Sequence, residues 1–186
     1  MKKILVIESS PLGNNSFSNK LSNEIVTQIK KASGESSVTI RNLITNTPPL
    51  LTKLEFGAYS VEAIQEILDA DSIVINIPMH NFSVPAILKA WIDQIAVAGK
   101  TFSYTEAGPK GLVTGKKVYL AIATGGIYSS GDMAVYDHIE NYMKSVLGFM
   151  GMTDVDTFRI EALAYPGLKD TALETASAKV HSHFKI

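Results

Sequence analysis

Three short stretches of this chain hold residue types suited to chemistry. The first is ESSPLGNNSFSN, from Glu8 to Asn19, with four serines, two adjacent asparagines, and neither lysine nor arginine. A phosphate set there would be held by backbone N–H groups and by the hydroxyls of Ser10, Ser16 and Ser18. Neutral donors satisfy a partly buried phosphate monoester without a cationic side chain. The same residues also read as an ordinary turn in which Asn15 or Ser16 caps the following helix. The second stretch, PMHNF, covers Pro78 to Phe82. Met79, Phe82 and the later Trp91 are bulky and apolar for a short connection, and suit a wall for a planar ligand or a plug for the end of a sheet. The third is ATGGIYSSG from Ala123. Its paired glycines let bare backbone N–H groups approach a ligand, and they also suit a plain turn.

The elements that must position these stretches recur in alternation. Five apolar runs read as strands: Lys3–Ile7, Val38–Leu43, Ser72–Ile77, Lys117–Ala123 and Val155–Ile160. The first, third and fourth are nearly continuous in apolar character, as strands covered on both faces require. The second and fifth alternate more, which places them at the sheet edges. Between the strands lie stripes of helical period: Leu21/Ile25/Ile29 with Val26, Val61/Ile64/Leu68, Ile87/Leu88/Trp91/Ile92/Ile95, Ile139/Tyr142/Met143/Val146, and Leu173/Ala176/Val180. Pro85 precedes the third stripe, a residue suited to a first helical turn. Pro48–Leu51 and the run GPKGLVTGK at 108–116 read as surface loops.

Strand–helix alternation repeated five times predicts an α/β fold, a doubly wound five-stranded parallel sheet of flavodoxin-like order 2-1-3-4-5, in one domain over residues 1–186. In such a sheet the ligand crevice lies beyond the carboxyl ends of the strands, where the strand order reverses. That rule selects Ser9–Ser18, Pro78–Phe82 and Ala123–Ser129 without reference to any motif. All three carry ligand-compatible features, so together they weigh more than each does alone.

Composition narrows the function classes. The chain has 186 residues, 46% hydrophobic and 19% charged, with a formal net charge of −1. These values fit a globular domain and offer no field for nucleic acid or anionic lipid. Cysteine is absent, which removes disulfides, thiolate metal sites and a cysteine nucleophile. The run Ile4–Ile7 is too short for a secretory leader, and no stretch nears the roughly 20 apolar residues of a membrane span. A cytoplasmic, membrane-free protein is expected. His181 and His183 read as a solvated helix face without carboxylate partners, so no metal site is expected. Neither the GxGxxG nor the GxxxxGK[ST] pattern is present, nor HExxH or a usable Ser–His–Asp set.

The blocks SSPLGNNSFSNKLS, PMHNFSVPAILKAWIDQIAVAGKTFSYTEAGPKGLVTGKK, ATGGIY and LGFMGMTDV, in this order through nearly the whole chain, resemble the FMN-dependent NADH:quinone oxidoreductases, also called NADH-azoreductases. The middle block is the most specific. The resemblance implies that FMN is bound with its phosphate on Ser10, Ser16, Phe17 and Ser18. Met79, His80, Asn81 and Phe82 would flank the isoalloxazine, and Ala123, Thr124, Gly125 and Gly126 would meet its pyrimidine end. It further implies a homodimer with the site at the interface, where Tyr104 and Phe149 line the substrate side. NADH or NADPH would serve as transient donor, and a quinone or azo compound would take two electrons in ping-pong fashion.

Two positions depart from the family pattern. His80 stands where tyrosine is frequent, and Thr124 where arginine is frequent. The segment Leu51–Ile67 is also short, so the pocket lip and substrate range are expected to differ. His80 reads either as a group donating a hydrogen bond or proton to substrate or as a wall residue. Two other readings share the fold. A flavodoxin-type FMN carrier without its own NAD(P)H oxidation tends to be strongly acidic, unlike this chain. A phospho-acceptor signalling domain needs acidic residues clustered after the first strand and an aspartate after the third. Here only Glu8 and Pro78-Met79-His80 occupy those places.

Overall fold

The computed structural model describes residues 1–185. Five parallel strands, β1 (Lys2–Glu8), β2 (Ser36–Asn42), β3 (Ser72–Pro78), β6 (Lys117–Ala123) and β7 (Asp154–Ile160), form a sheet of order β2-β1-β3-β6-β7. Helices α1 (Phe17–Ser33), α2 (Ala58–Asp69), α3 (Ala86–Ile95), α4 (Glu140–Phe149) and α5 (Lys169–His183) connect and cover them. The α/β architecture and the parallel five-stranded sheet are those expected. The numbering differs because an antiparallel hairpin, β4 (Phe102–Thr105) with β5 (Gly108–Gly111), lies between β3 and β6 in the chain.

Strand alternation builds both cores. Leu5, Ile7, Ile73, Ile75, Ile77, Val118, Leu120 and Ile122 point to one face, against apolar residues of α2, α3 and α4. Ile4, Val6, Val74, Tyr119, Ala121, Phe158 and Ile160 point to the other, against Leu21, Ile25 and Ile29 of α1 and Ala176 and Val180 of α5. Successive side chains in a strand face opposite ways, so a strand apolar on both parities must be covered on both sides. β2 and β7 are the edges, as their alternation predicted.

Three expectations are corrected. Residues 108–111 are a strand rather than surface loop, pairing from Phe102↔Gly111 to Thr105↔Gly108. The composition GPKG hides this, because glycine and proline are poor strand formers. Gly111 is required there, since a Cβ would come within 2.2 Å of the Gly151 nitrogen. In α2 the buried face is Ser60, Ala63, Ile64 and Ile67. Val61 and Leu68 are exposed, so their periodicity with Ile64 marked the rim of the stripe. His181 and His183 do have carboxylate partners: Glu24 on α1 at 2.6 Å and Asp156 on β7 at 3.1 Å. These partners come from elements far away in sequence, which no local pattern reports.

Candidate functional site

The serine loop leaves β1 and enters α1 through a short 3-10 turn at Gly13–Asn15. Ser16 is the helix cap: its Oγ accepts from the Asn19 N–H at 3.2 Å. The Ser16 and Ser18 hydroxyls lie 2.9 Å apart. One hydroxyl proton serves that contact, so the second remains to donate elsewhere. Ser10, Ser16 and Ser18 are all buried, Ser18 to 0% exposure. Phe17 is half-buried beside them. The N–H groups of Ser10, Phe17 and Ser18 find no acceptor among the described residues. A buried amide without a partner is rare in native proteins. Those of Phe17 and Ser18 are the first two of a 17-residue helix, at its positive end, where an anion is favoured. Capping and anion binding are thus compatible uses of the same residues.

The second stretch is a two-residue turn of unusual backbone. Asn81 and Phe82 have φ of 49° and 68°. The His80 N–H donates to the Ser83 carbonyl at 2.9 Å, and the Ser83 N–H donates back at 3.0 Å. The turn joins the third stretch through the Met79 N–H, which donates to the Ala123 carbonyl at 2.8 Å. The Phe82 ring lies edge-on to Tyr128, with centroids 6.1 Å apart, and 5.3 Å from Tyr136. Met79 packs on the core, whereas His80, Asn81 and Phe82 are exposed. A cavity of about 460 Å³ opens beside them, lined by His80, Asn81, Ser83, Val84, Lys89 and Tyr142. Burial, aided by the nearby Asp93 carboxylate, pushes the Tyr142 phenol up to about 12, so it faces the cavity as a protonated donor.

In the third stretch Ala123 and Thr124 are buried. The Thr124 hydroxyl donates to the Gly126 carbonyl at 2.7 Å, and its N–H to the Ile160 carbonyl at 2.9 Å. Thr124 therefore shapes the turn. The N–H groups of Gly125 and Gly126 donate to no protein acceptor among the described residues. A Cβ on Gly126 would come within 3.0 Å of the Tyr128 ring. Glu161, which the sequence reading missed, clamps the exit of this loop. Its Oε1 accepts from the N–H groups of Tyr128 at 2.7 Å and Ser129 at 2.9 Å, and Oε2 accepts from the Ser129 hydroxyl.

Also missed was Asn76, fully buried in β3. Its amide links Ser9 at 2.7 Å to Asn19 at 2.7 Å. The three loops thus leave the same end of the sheet, the first held to β3 by Asn76, the second and third joined through Met79, Ala123 and the Phe82–Tyr128 contact. Tyr104 and Phe149 form a separate patch, both exposed and gathered around Phe102 with centroids at 5.6 and 4.4 Å. A further cavity of about 570 Å³ lies under the segment 49–59, floored by Gln94. No helix among the described residues is long and apolar enough to cross a membrane.

Comparison with known proteins agrees with this geometry. The profile of the family described as having a flavodoxin-like fold matches residues 2–184. The FMN-dependent NADH:quinone oxidoreductase of Agrobacterium fabrum is 40% identical, covering 97% of this chain and 97% of its own. That of Rhizobium meliloti is 42% identical, covering 96% and 95%. The crystal structure of an FMN-dependent NADH-azoreductase from Bacillus anthracis in complex with FMN superposes with a TM-score of 0.87 at 26% identity, covering 99% and 98%. By this match over nearly its whole length and by these relatives, the chain belongs to the flavodoxin-like family of FMN-dependent NADH:quinone oxidoreductases.

Proposed function

We propose that the chain acts as one FMN-binding domain that oxidises NADH or NADPH and passes both electrons to a quinone or an azo compound. The observation that carries this is the set of unpaired backbone donors on the first and third loops at one end of the sheet, with the buried Ser18 N–H foremost. That donor set fits FMN: a phosphate dianion matches the helix amides and serine hydroxyls, and a planar ring system matches the exposed turn and the free glycine amides.

FMN, when bound, supplies the two-electron redox chemistry. The chain's own residues bind and tune. Ser10, Ser16, Phe17 and Ser18 hold the phosphate through N–H and hydroxyl groups. Met79, His80, Asn81 and Phe82 flank the ring system. Ala123 to Gly126 would line its pyrimidine end, where the fixed N–H groups of Gly125 and Gly126 would offer donors to developing negative charge. His80 offers a hydrogen bond or proton to the acceptor. Nucleotide and acceptor occupy the same pocket in turn, a ping-pong order that needs only one binding face.

The exposed Tyr104 and Phe149, gathered on the buried Phe102, support a homodimer in which this aromatic cluster faces the partner's pocket. The reading also places the enzyme in the cytoplasm. Purified protein is expected to be yellow with an FMN spectrum and to oxidise NADH steadily with menadione. Protein that stays flavin-free after FMN addition overturns the reading. An FMN-loaded protein that needs a separate reductase would instead be an electron carrier.

A further inference from the structure

Asn76 is a polar side chain in a central buried strand of the sheet, within SIVINIP, and has no exposure at all. It lies on the same strand face as Val74, the face covered by α1. A buried amide there costs free energy unless each of its groups is paired. It is paired at both ends. Regular pairing of β1 with β3 stops at Ile7↔Ile75. Beyond it the Ser9 N–H donates to Asn76 Oδ1, and the Ser9 hydroxyl donates to the Asn76 carbonyl, each at 2.7 Å. The side chain thus supplies the next rung as β1 turns away into the serine loop.

The hydrogen-bond directions are forced from there. A backbone N–H only donates, so Oδ1 must face Ser9 and Nδ2 must be the donor on the other side. Nδ2 meets Asn19 Oδ1 at 2.7 Å, which fixes the Asn19 amide in turn. The Asn19 N–H then holds the Ser16 hydroxyl oxygen at 3.2 Å. The Ser16 oxygen keeps a second lone pair for the Ser18 contact at 2.9 Å, in which either hydroxyl can donate. One amide therefore ties the strand exit to the helix entry that carries the serine pair.

The geometry points to Asn76 as the positioning residue that presets the serine loop for a phosphate monoester. It does so through Ser9 and Asn19 without touching the ligand, and confers preference for FMN over riboflavin. This rests on the reading of the serine loop as the FMN phosphate site. A core polar residue that merely shaped the fold would affect both flavins alike.

The test compares dissociation constants for FMN and riboflavin, by flavin fluorescence quenching, in the parent and in Asn76→Leu. The substitution keeps the branched shape, removes both the acceptor facing Ser9 and the donor facing Asn19, and adds no charge that would itself repel a phosphate. FMN affinity is expected to fall by about tenfold or more, the scale of a lost buried hydrogen bond, with riboflavin affinity changing less than about twofold. Equal losses for both flavins, or no loss for FMN, overturn the inference. If Asn76→Leu does not fold, Asn19→Ala breaks the same bridge from the helix side, and the same split is expected and the same equality refutes it. A parent protein that binds FMN no more tightly than riboflavin removes the phosphate site itself, and the role of Asn76 with it.

Discussion

The turn at Asn81-Phe82 should be strained, and the strain has a measurable sign. Both residues have positive φ, 49° and 68°, and the reciprocal His80–Ser83 hydrogen bonds close a two-residue turn of the mirror-image type. Such turns favour asparagine then glycine. Asparagine tolerates the left-handed region, but a phenylalanine there costs about 1–2 kcal/mol. Phe82→Ala and Phe82→Gly lose the same ring contacts with Tyr128 and Tyr136, so comparing the two variants cancels that loss. Only glycine relieves the backbone. At an ordinary negative φ, glycine is less stable than alanine by about 0.5–1 kcal/mol. Here the order inverts, and the Phe82→Gly variant should exceed Phe82→Ala by about 1 kcal/mol. For a chain of this length that is roughly 2–4 °C in Tm. Thermal melts of both variants without flavin make the measurement, because cofactor binding would add its own stabilisation. A Phe82→Ala variant melting at or above Phe82→Gly refutes the strained turn.

Three further outcomes follow from the site and its supports. Burial pushes the Glu140 carboxyl up, but hydrogen bonds from Lys144, Arg159 and Thr157 outweigh it and bring the group from 4.5 down to about 2. A folded pKa below the unfolded one means that this stability is present above pH 4.5 and is lost as pH falls towards 2. Glu140→Gln should flatten the acid limb of the stability profile over that window by on the order of 1 kcal/mol after solvent screening, and an unchanged limb in urea titrations counts against the network. Glu161→Ala should raise hydrogen exchange at the Tyr128 and Ser129 amides by about tenfold, while Glu161→Gln, whose Oε1 still accepts from both, should stay near the parent; equal exchange in the two variants dismisses the clamp. His80→Ala should lower turnover with some acceptors across a panel of quinones and azo dyes while FMN stays bound, and uniform kinetics remove His80 from the reaction.

The sheet and the positions of its loops were legible because they rest on local signals. KILVI, SIVINI and KVYLAIA are apolar on both parities, which is meaningful only for strands covered on both faces. Strand order then selected three loops that leave the same end of the sheet, the second and third of them joined by the Met79–Ala123 hydrogen bond. What escaped was non-local or compositionally silent. GPKG carries no strand propensity and pairs only because Gly111 backs closely onto Gly151. The partners of His181 and His183 come from α1 and β7. Asn-Phe in place of Asn-Gly gave no hint of two positive φ values at 81 and 82.

Asn76 shows why the supports of a site are harder to read than the site. Serine hydroxyls, a histidine and a glycine pair announce chemistry by type. A single asparagine in an apolar strand announces nothing, and by composition alone it counts as a small defect in the core. Its cost makes sense only against its two partner residues, Ser9 at a neighbouring strand exit and Asn19 on a helix 57 residues away. A valine at 76 would serve the sheet at least as well by burial, since it removes a polar group from the interior. The amide is therefore explained by the loop and not by the strand. The same reasoning separates Glu161 from an ordinary surface carboxylate, because both Tyr128 and Ser129 direct their backbone donors at it. Residues that satisfy other residues' backbone groups at a switch point are where this fold stores the shape of its site.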